Sequence, residues 1–392
     1  MPVPGWSVAR ARLLRPPLQS TGRYCHGVAE VLSRRALSRA TLHRQLLLER
    51  ADLSTMDAIE HLVGMQAQAP NAPYVGLWSR LAGYRALELA SAVESGAAVR
   101  THLMRATVHL VSARDCLELS APTRPVTERA YRGSPFRRLV SDAPAIVEAG
   151  RALLTERPLT RAELGALLAE RWPGVDPTAM AYTVSSLVPT VAVPPRGVWG
   201  ASGPAAWTTM EAWLGHPPAP DPSPGRAVLR YLAAFGPASV ADMRAWSGLA
   251  GLREVVAGLD LRTFRSEAGA VLYDLPDAPR PDPATPAPAR FLPEYDNLLL
   301  SFADRGRVIP DGRRPPLFPG NGAGFGTILV DGDHSGTWRL DRSREPAPLV
   351  IEPFARLSTS DADELAAEGA RLLEFITGTA GEVRFAVARP PT

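Results

Sequence analysis

The chain contains no lysine: all 43 of its basic positions are arginine. A Walker-type phosphate loop needs its lysine, so that class of nucleotide hydrolase is excluded. A Schiff base on an internal lysine is excluded too, leaving the N-terminus as the only amine nucleophile. Cysteine is almost as scarce. Cys25 and Cys116 are too few for a zinc finger and form no Cys-x-x-Cys, so both read as free thiols of a reducing compartment, and no metal is expected. Neither a signal-peptide apolar run nor a membrane-length window occurs, so the expectation is a cytoplasmic, nucleoid-associated protein with no membrane partner. The glycine-rich GNGAGFG of residues 320–326 misses the Gly-x-Gly-x-x-Gly register, and no dinucleotide or other cofactor is expected.

What is present is a chain of 392 residues with an ordinary 45% of hydrophobic residues, enough for two or three domains. The net charge of +3 permits a nucleic-acid partner without requiring one. The arginine excess has two explanations. A GC-rich coding sequence favours arginine throughout, whereas phosphate recognition would act on only some positions.

Residues 1–30 lack periodicity and read as a disordered basic tail, a mis-assigned start or a DNA-gripping arm. A first unit spans 31–150. In it Thr55 looks like the cap of a helix over MDAIEHLVG, Gly64 its end, Tyr74 to Leu81 another helix, and Arg100 to Ser112 a strand, with Ser112 capping the next helix. A second unit, 151–216, opens on a capping box of Thr160 and Glu163. It continues through a helix after Asp176 and a hairpin with Arg196 and Gly197 at its tip. A linker with five prolines in nine residues, 217–225, precedes a third unit of three helices and a hairpin turning near Ala268 and Gly269, 226–275. A second proline-rich linker, 276–290, leads to an α+β lobe, 291–392. That lobe has a hairpin turning between Asp331 and Gly336 and a last helix capped by Ser360. The predicted class is α+β, mainly helical, with three tandem winged-helix units and a mixed C-terminal lobe. No heptad seam is visible, so a monomer is expected.

Gln66 and Gln68 follow the helix ending at Gly64. In extended chain residues two apart point the same way, so both amides face one side. On their own, such amides cap a helix end or bind a loop as readily as they act on a substrate.

The blocks GMQAQAP, VRTHLMRATVHLV, ADMRAWSGL, LPEYDNLLLS, ADRGRVIP, VDGDHSGTWRL and EGARLLEF resemble the winged-helix DNA glycosylases of the AlkZ and YcaQ type. Their order and spacing match from about residue 31 to the end. The resemblance implies tandem winged helices around a concave DNA-binding face and excision of alkylated purines, interstrand crosslinks included, in repair or in self-resistance to a genotoxic natural product. The partner is then double-stranded DNA carrying alkylated purines. In the AlkZ branch the catalytic motif is glutamine, aliphatic residue, glutamine, which falls on Gln66, Ala67 and Gln68. The YcaQ branch has an acidic residue at the second polar position, so this chain sits nearer AlkZ. In MRAT, Ala106 stands where a glycine is expected.

An amide is a poor base and can only position water and stabilise charge. The substrate must therefore already be activated, as N7-alkylguanine and N3-alkyladenine are by their positive charge. Absence of lysine adds the expectation of a monofunctional glycosylase without a lysine-dependent lyase step. Arg100, Arg105, Thr107, His109, Arg305, Arg307 and His334 are the candidate DNA contacts, set against ion pairs for the arginines, a structural role for His109 and an ordinary exposed turn for His334. Glu294 and Asp296 either form a hidden acid–base pair or brace the lobe, and Trp78 and Trp246 read as core. A winged-helix regulator, or a protein that binds lesions without cutting, is the alternative function.

Overall fold

The computed structural model describes residues 30–310 and 325–388; the expectations for the N-terminal tail and for most of GNGAGFG lie outside them. The described chain opens on β1 (Val31–Leu32) and α1 (Arg34–Arg44), whose N-cap Ser33 accepts from the Ala36 N–H. α2 (Thr55–His61) is capped by Ser54, not Thr55, because Ser54 is the residue with extended backbone and a hydroxyl on the Asp57 N–H. The chain then reverses through positive φ at Val63 and Gly64 into β2 (Met65–Gln66). α3 (Ala72–Arg80) and α4 (Ala86–Glu94) follow.

The single strand expected from Arg100 to Ser112 is a hairpin: β3 (Ala98–His102) pairs antiparallel with β4 (Val108–Ser112). Alternation breaks at Leu103 and Met104, which are consecutive and both fully buried, and the chain can bury both only by turning. Arg105 and Ala106 make that turn with φ of 55° and 58°. Ser112 caps α5 (Ala113–Arg132) as expected. Next come α6 (Ala143–Glu156), β5 (Leu159–Thr160), α7 (Arg161–Arg171) with the anticipated Thr160/Glu163 capping box, and α8 (Pro177–Leu187) capped by Asp176. β6 (Thr190–Ala192) and β7 (Ala206–Thr209) complete a six-stranded sheet in the order β2-β4-β3-β6-β7-β5. The two hairpins are one sheet because β3 pairs β6, with Arg100 opposite Ala192. The connection expected to project at Arg196 and Gly197 folds back instead. Gly197 is buried against Arg100, and its carbonyl accepts from the Tyr74 hydroxyl at 2.8 Å, satisfying a buried phenol.

α9 (Met210–Leu214), α10 (Gly225–Phe235), α11 (Val240–Ser247) and α12 (Leu252–Ala257) lead to the hairpin of β8 (Arg262–Ser266) and β9 (Val271–Asp274), turning at Gly269. β1 adds to this hairpin in parallel, Val31 opposite Arg265, so the first described residues dock on a strand far along the chain. In the last lobe β10 (Arg290–Leu292), α13 (Asn297–Leu300), β11 (Gly326–Val330), β12 (Asp333–Leu340), β13 (Leu349–Pro353), α14 (Thr359–Thr377) and β14 (Val383–Phe385) form a sheet in sequential order, backed by α14. Ser358, rather than Ser360, caps α14. The β11–β12 turn is only Asp331 and Gly332, both with positive φ, so His334 to Gly336 belong to β12.

Arginine is a core residue here. Arg44 is paired with Asp274, Arg80 with Asp296, Arg230 with Asp115 and Arg307 with Asp242, each joining segments distant in sequence. The first three are bidentate, an arrangement that the planar fork of guanidinium suits better than an ammonium group.

The strained turn predicts a stabilising substitution. The left-handed region costs an L-residue about 1–2 kcal/mol, and glycine returns part of that relief as unfolded-chain entropy. Ala106→Gly should therefore raise the unfolding free energy in urea by about 0.5–1 kcal/mol; a lower denaturation midpoint would contradict the assignment.

Candidate active site

β2 lies at the edge of the six-stranded sheet, with Met65 opposite Leu110 and Gln66 opposite His109; the Ala67 N–H donates to the Val108 carbonyl. Ala67 is fully buried in the core beneath, so extended chain leaves Gln66 and Gln68 on the opposite face. Gly64 makes the approach possible. Its φ is 82° and a Cβ there would strike Val111. Gln66 is 6% exposed, whereas Gln68 is exposed. Each amide oxygen is held: Gln66 Oε1 accepts from Arg105 Nη2 at 2.7 Å, and Gln68 Oε1 accepts from the Val108 N–H at 3.2 Å.

Arg105 is the hub of the site. Its Nη1 donates to the Trp246 carbonyl at 2.6 Å. Its Nη2 donates to Gln66, to Asn297 Oδ1 at 3.2 Å and to His109 Nε2 at 3.3 Å. Arg100 Nη2 donates to the Ala67 carbonyl at 2.9 Å, from the other side of the motif. Burial lowers both guanidinium groups to about 10, so both remain cations at neutral pH. No carboxylate among the described residues pairs with either, in contrast to the four arginines paired above. Two guanidinium groups without a carboxylate partner among the described residues thus flank Gln-Ala-Gln, Arg100 buried and Arg105 half-buried, and both donate to the motif.

His109 is fully buried. A guanidinium only donates, so its Nε2 is the acceptor and its Nδ1–H donates to the Thr107 carbonyl at 3.0 Å. Burial, helped by the Arg105 charge, pushes its pKa down to about 3. Thr107 is half-buried, with its hydroxyl on the Met104 carbonyl. Asn297, at the start of α13, links Arg105 to the Gly64 carbonyl through its Nδ2 at 3.2 Å. Its neighbour Asp296 binds Arg80 through both oxygens at 2.9 Å and caps α13, which is the bracing reading. Glu294 is half-buried and its pKa is raised by that burial.

Two candidate contacts are corrected. Arg307 is buried, donates to the Pro237 carbonyl at 2.8 Å and lies over the Phe302 ring at 4.1 Å, so it is core. His334 is 1% exposed, packed edge-on against Phe354 in β12, because the turn closes two residues earlier. Arg305 is half-buried and forms no side-chain ion pair among the described residues. Trp246 is core as expected, and Trp78 is half-buried beneath Arg50.

A cavity of about 10 Å³ lies beside Gln66, walled also by Gln45, Arg80, Pro293, Asp296 and Asn297. It has room for one water and none for a purine. No group of three or more metal-binding side chains occurs among the described residues, nor any helix long and apolar enough to cross a membrane.

The chain matches the DNA glycosylase AlkZ-like family over residues 59–375. It belongs to the AlkZ-like DNA glycosylase family. Among solved structures it is similar to the DNA glycosylase AlkZ of Streptomyces sahachiroi, with a TM-score of 0.69 and 20% identity over 91% of this chain and 100% of that one. No curated protein matches.

With the AlkZ-like family established, the scattered blocks acquire a common point. MRAT supplies Arg105, ADMRAWSGL the Trp246 carbonyl, LPEYDN supplies Asn297, and GMQAQAP the residue they surround. Sequence reasoning missed Asn297 and the Trp246 carbonyl. The LPEYDN block was visible, but its carboxylates drew attention from its amide.

The buried histidine makes stability depend on acid. The folded protein keeps His109 neutral to about pH 3, while the unfolded chain takes up a proton near the ordinary 6.5. Its stabilisation is complete above 6.5 and is lost as pH falls toward 3, by about 1.4 kcal/mol per pH unit. His61 and His102 are shifted in the same direction by burial. His109→Gln should flatten the pH 6 to 4 slope of the urea unfolding free energy by one histidine's share; an unchanged slope would contradict the buried neutral imidazole.

Proposed function

We propose that this protein is a monofunctional DNA glycosylase that hydrolyses the N-glycosidic bond of cationic alkylpurines, with Gln66 and Gln68 as its catalytic residues. The observation that carries the reading is the Gln-Ala-Gln segment held by hydrogen bonds from Arg100 and Arg105 at a sheet edge, with Gln66 nearly buried and Gln68 exposed. Positioned amides contribute through orientation and fixed dipoles, not through basicity. That contribution suffices only when the leaving base is already cationic, as N7-alkylguanine is. The two uncompensated guanidinium charges give the motif a positive field that suits a phosphate-bearing polymer. The small cavity favours a lesion read at the surface over one buried in a deep pocket, and such reading accommodates bulky adducts and interstrand crosslinks.

In this reading the chain works as a monomer on duplex DNA in the cytoplasm. It carries winged-helix units at 31–150, 151–216 and 226–275 and a closing lobe at 291–392. Arg305 and Thr107 are its candidate backbone contacts. Its role is DNA repair or self-resistance to a genotoxic natural product.

Duplex DNA carrying one N7-methylguanine tests the reading. Wild type should leave alkali-labile abasic sites above spontaneous depurination, and Gln66→Ala/Gln68→Ala should lose roughly 10²-fold or more. Borohydride should trap no internal residue on the DNA. Equal cleavage by the double variant would remove the glutamines from catalysis. Undetectable cleavage by wild type, on this and on a crosslinked substrate, would favour a DNA-binding regulator.

A further inference from the structure

We infer that the two glutamines meet the substrate through their NH₂ ends, and that Arg105 is the positioning residue that fixes Gln66 in this orientation. The inference rests on the glycosylase reading and specifies which half of each amide does the chemistry.

A guanidinium and a backbone N–H can only donate hydrogen bonds. The atom of Gln66 facing Arg105 Nη2 is therefore its oxygen, and the atom of Gln68 facing the Val108 N–H is also its oxygen. Both carbonyls are thereby turned into the protein. Neither Nε2 donates to any described residue, and Gln66 Nε2 is not fully buried, so both NH₂ groups keep access to solvent. For Gln66 the orientation is fixed at a distance: Arg105 is anchored by the Trp246 carbonyl, Asn297 and His109, and cannot swing away without losing those bonds. His109 reinforces it. Its depressed basicity keeps Nε2 an acceptor, so a second cation never displaces the guanidinium. A carbonyl that accepts from a cation is a weaker acceptor for anything else, while polarisation through the amide strengthens its N–H donors.

Donors suit the leaving base better than they suit water activation. As the C1′–N9 bond breaks, its electron pair moves onto the purine and cancels the positive charge of the alkylated ring. Density rises at N3 and, in guanine, O6, which are acceptors for amide N–H. Water oxygen then bonds to C1′ and releases its proton to solvent, so no side-chain base is required.

Gln66→Glu separates the two ends of the amide. Glutamate keeps the size and the oxygen on Arg105, gains basicity and loses the NH₂ donor. Its kcat on N7-methylguanine DNA should fall roughly 10²-fold, near that of Gln66→Ala, with KM little changed. Activity of Gln66→Glu at or above wild type, with Gln66→Ala inactive, would overturn the donor assignment and leave the glycosylase reading standing. A wild-type enzyme that excises nothing would sink that reading instead. Arg105→Ala, checked for folding by circular dichroism, should lose kcat and recover much of it in millimolar guanidinium chloride but not in ammonium chloride. Wild-type kcat in that variant, or a loss that guanidinium leaves untouched, would remove Arg105 from the positioning role.

Discussion

A buried cation without a counter-charge is expensive unless its donors are all used. Arg105, half-buried and without a carboxylate partner among the described residues, lowers that cost by donating from Nη1 and Nη2 to neutral acceptors: the Gln66 amide, the Trp246 carbonyl, Asn297 and His109. The rest of the architecture can be read as what is needed to bring those acceptors together. The β3–β4 hairpin must turn sharply enough to aim the guanidinium, which places Arg105 and Ala106 in the left-handed region. α11 must end against the hairpin to present the Trp246 carbonyl, and Gly248 permits that contact because its open side lies against the Arg105 backbone. α13 must be held in place by the Arg80–Asp296 pair so that Asn297 arrives from the last lobe.

The same interaction joins fold to chemistry. Gln66 sits at a sheet edge, where a side chain is ordinarily mobile. Here its amide is tied to an arginine that is tied to three other parts of the molecule. Arg100 does the equivalent for the backbone through the Ala67 carbonyl, and the Val108 N–H does it for Gln68. A weak group becomes useful when its orientation costs nothing at the moment of reaction, and the proposed role of Gln66 and Gln68 depends on that help.

Much of this was legible in the sequence. The caps at Ser112, Thr160 and Asp176 are local chemistry, a hydroxyl or carboxylate three residues before an amide donor, and the structure has each of them. The caps at Ser54 and Ser358 were misplaced by one or two residues because the sequence offers neighbouring hydroxyls and only backbone dihedrals choose between them. The Ala98–Ser112 hairpin was hidden because the break in alternation between its strands, at Leu103 and Met104, is only two residues long. The arginines were least legible. Composition cannot separate Arg307, in the core against Phe302, from Arg105, in the site, or from Arg305, which has no ion pair among the described residues. Only the three-dimensional pairing with carboxylates does so: among the described residues the two arginines at the glutamine motif, Arg100 and Arg105, have no carboxylate partner.

The central claim is that neutral, well-oriented amides suffice because the substrate brings the charge. The most direct measurement compares single-turnover excision from two otherwise identical duplexes, one with cationic N7-methylguanine and one with hypoxanthine, a neutral purine, each corrected for its spontaneous depurination. The account predicts release of the cationic base and no enzyme-dependent release of the neutral one. Comparable acceleration on both would mean that excision does not depend on the charge the substrate brings, and would contradict the account.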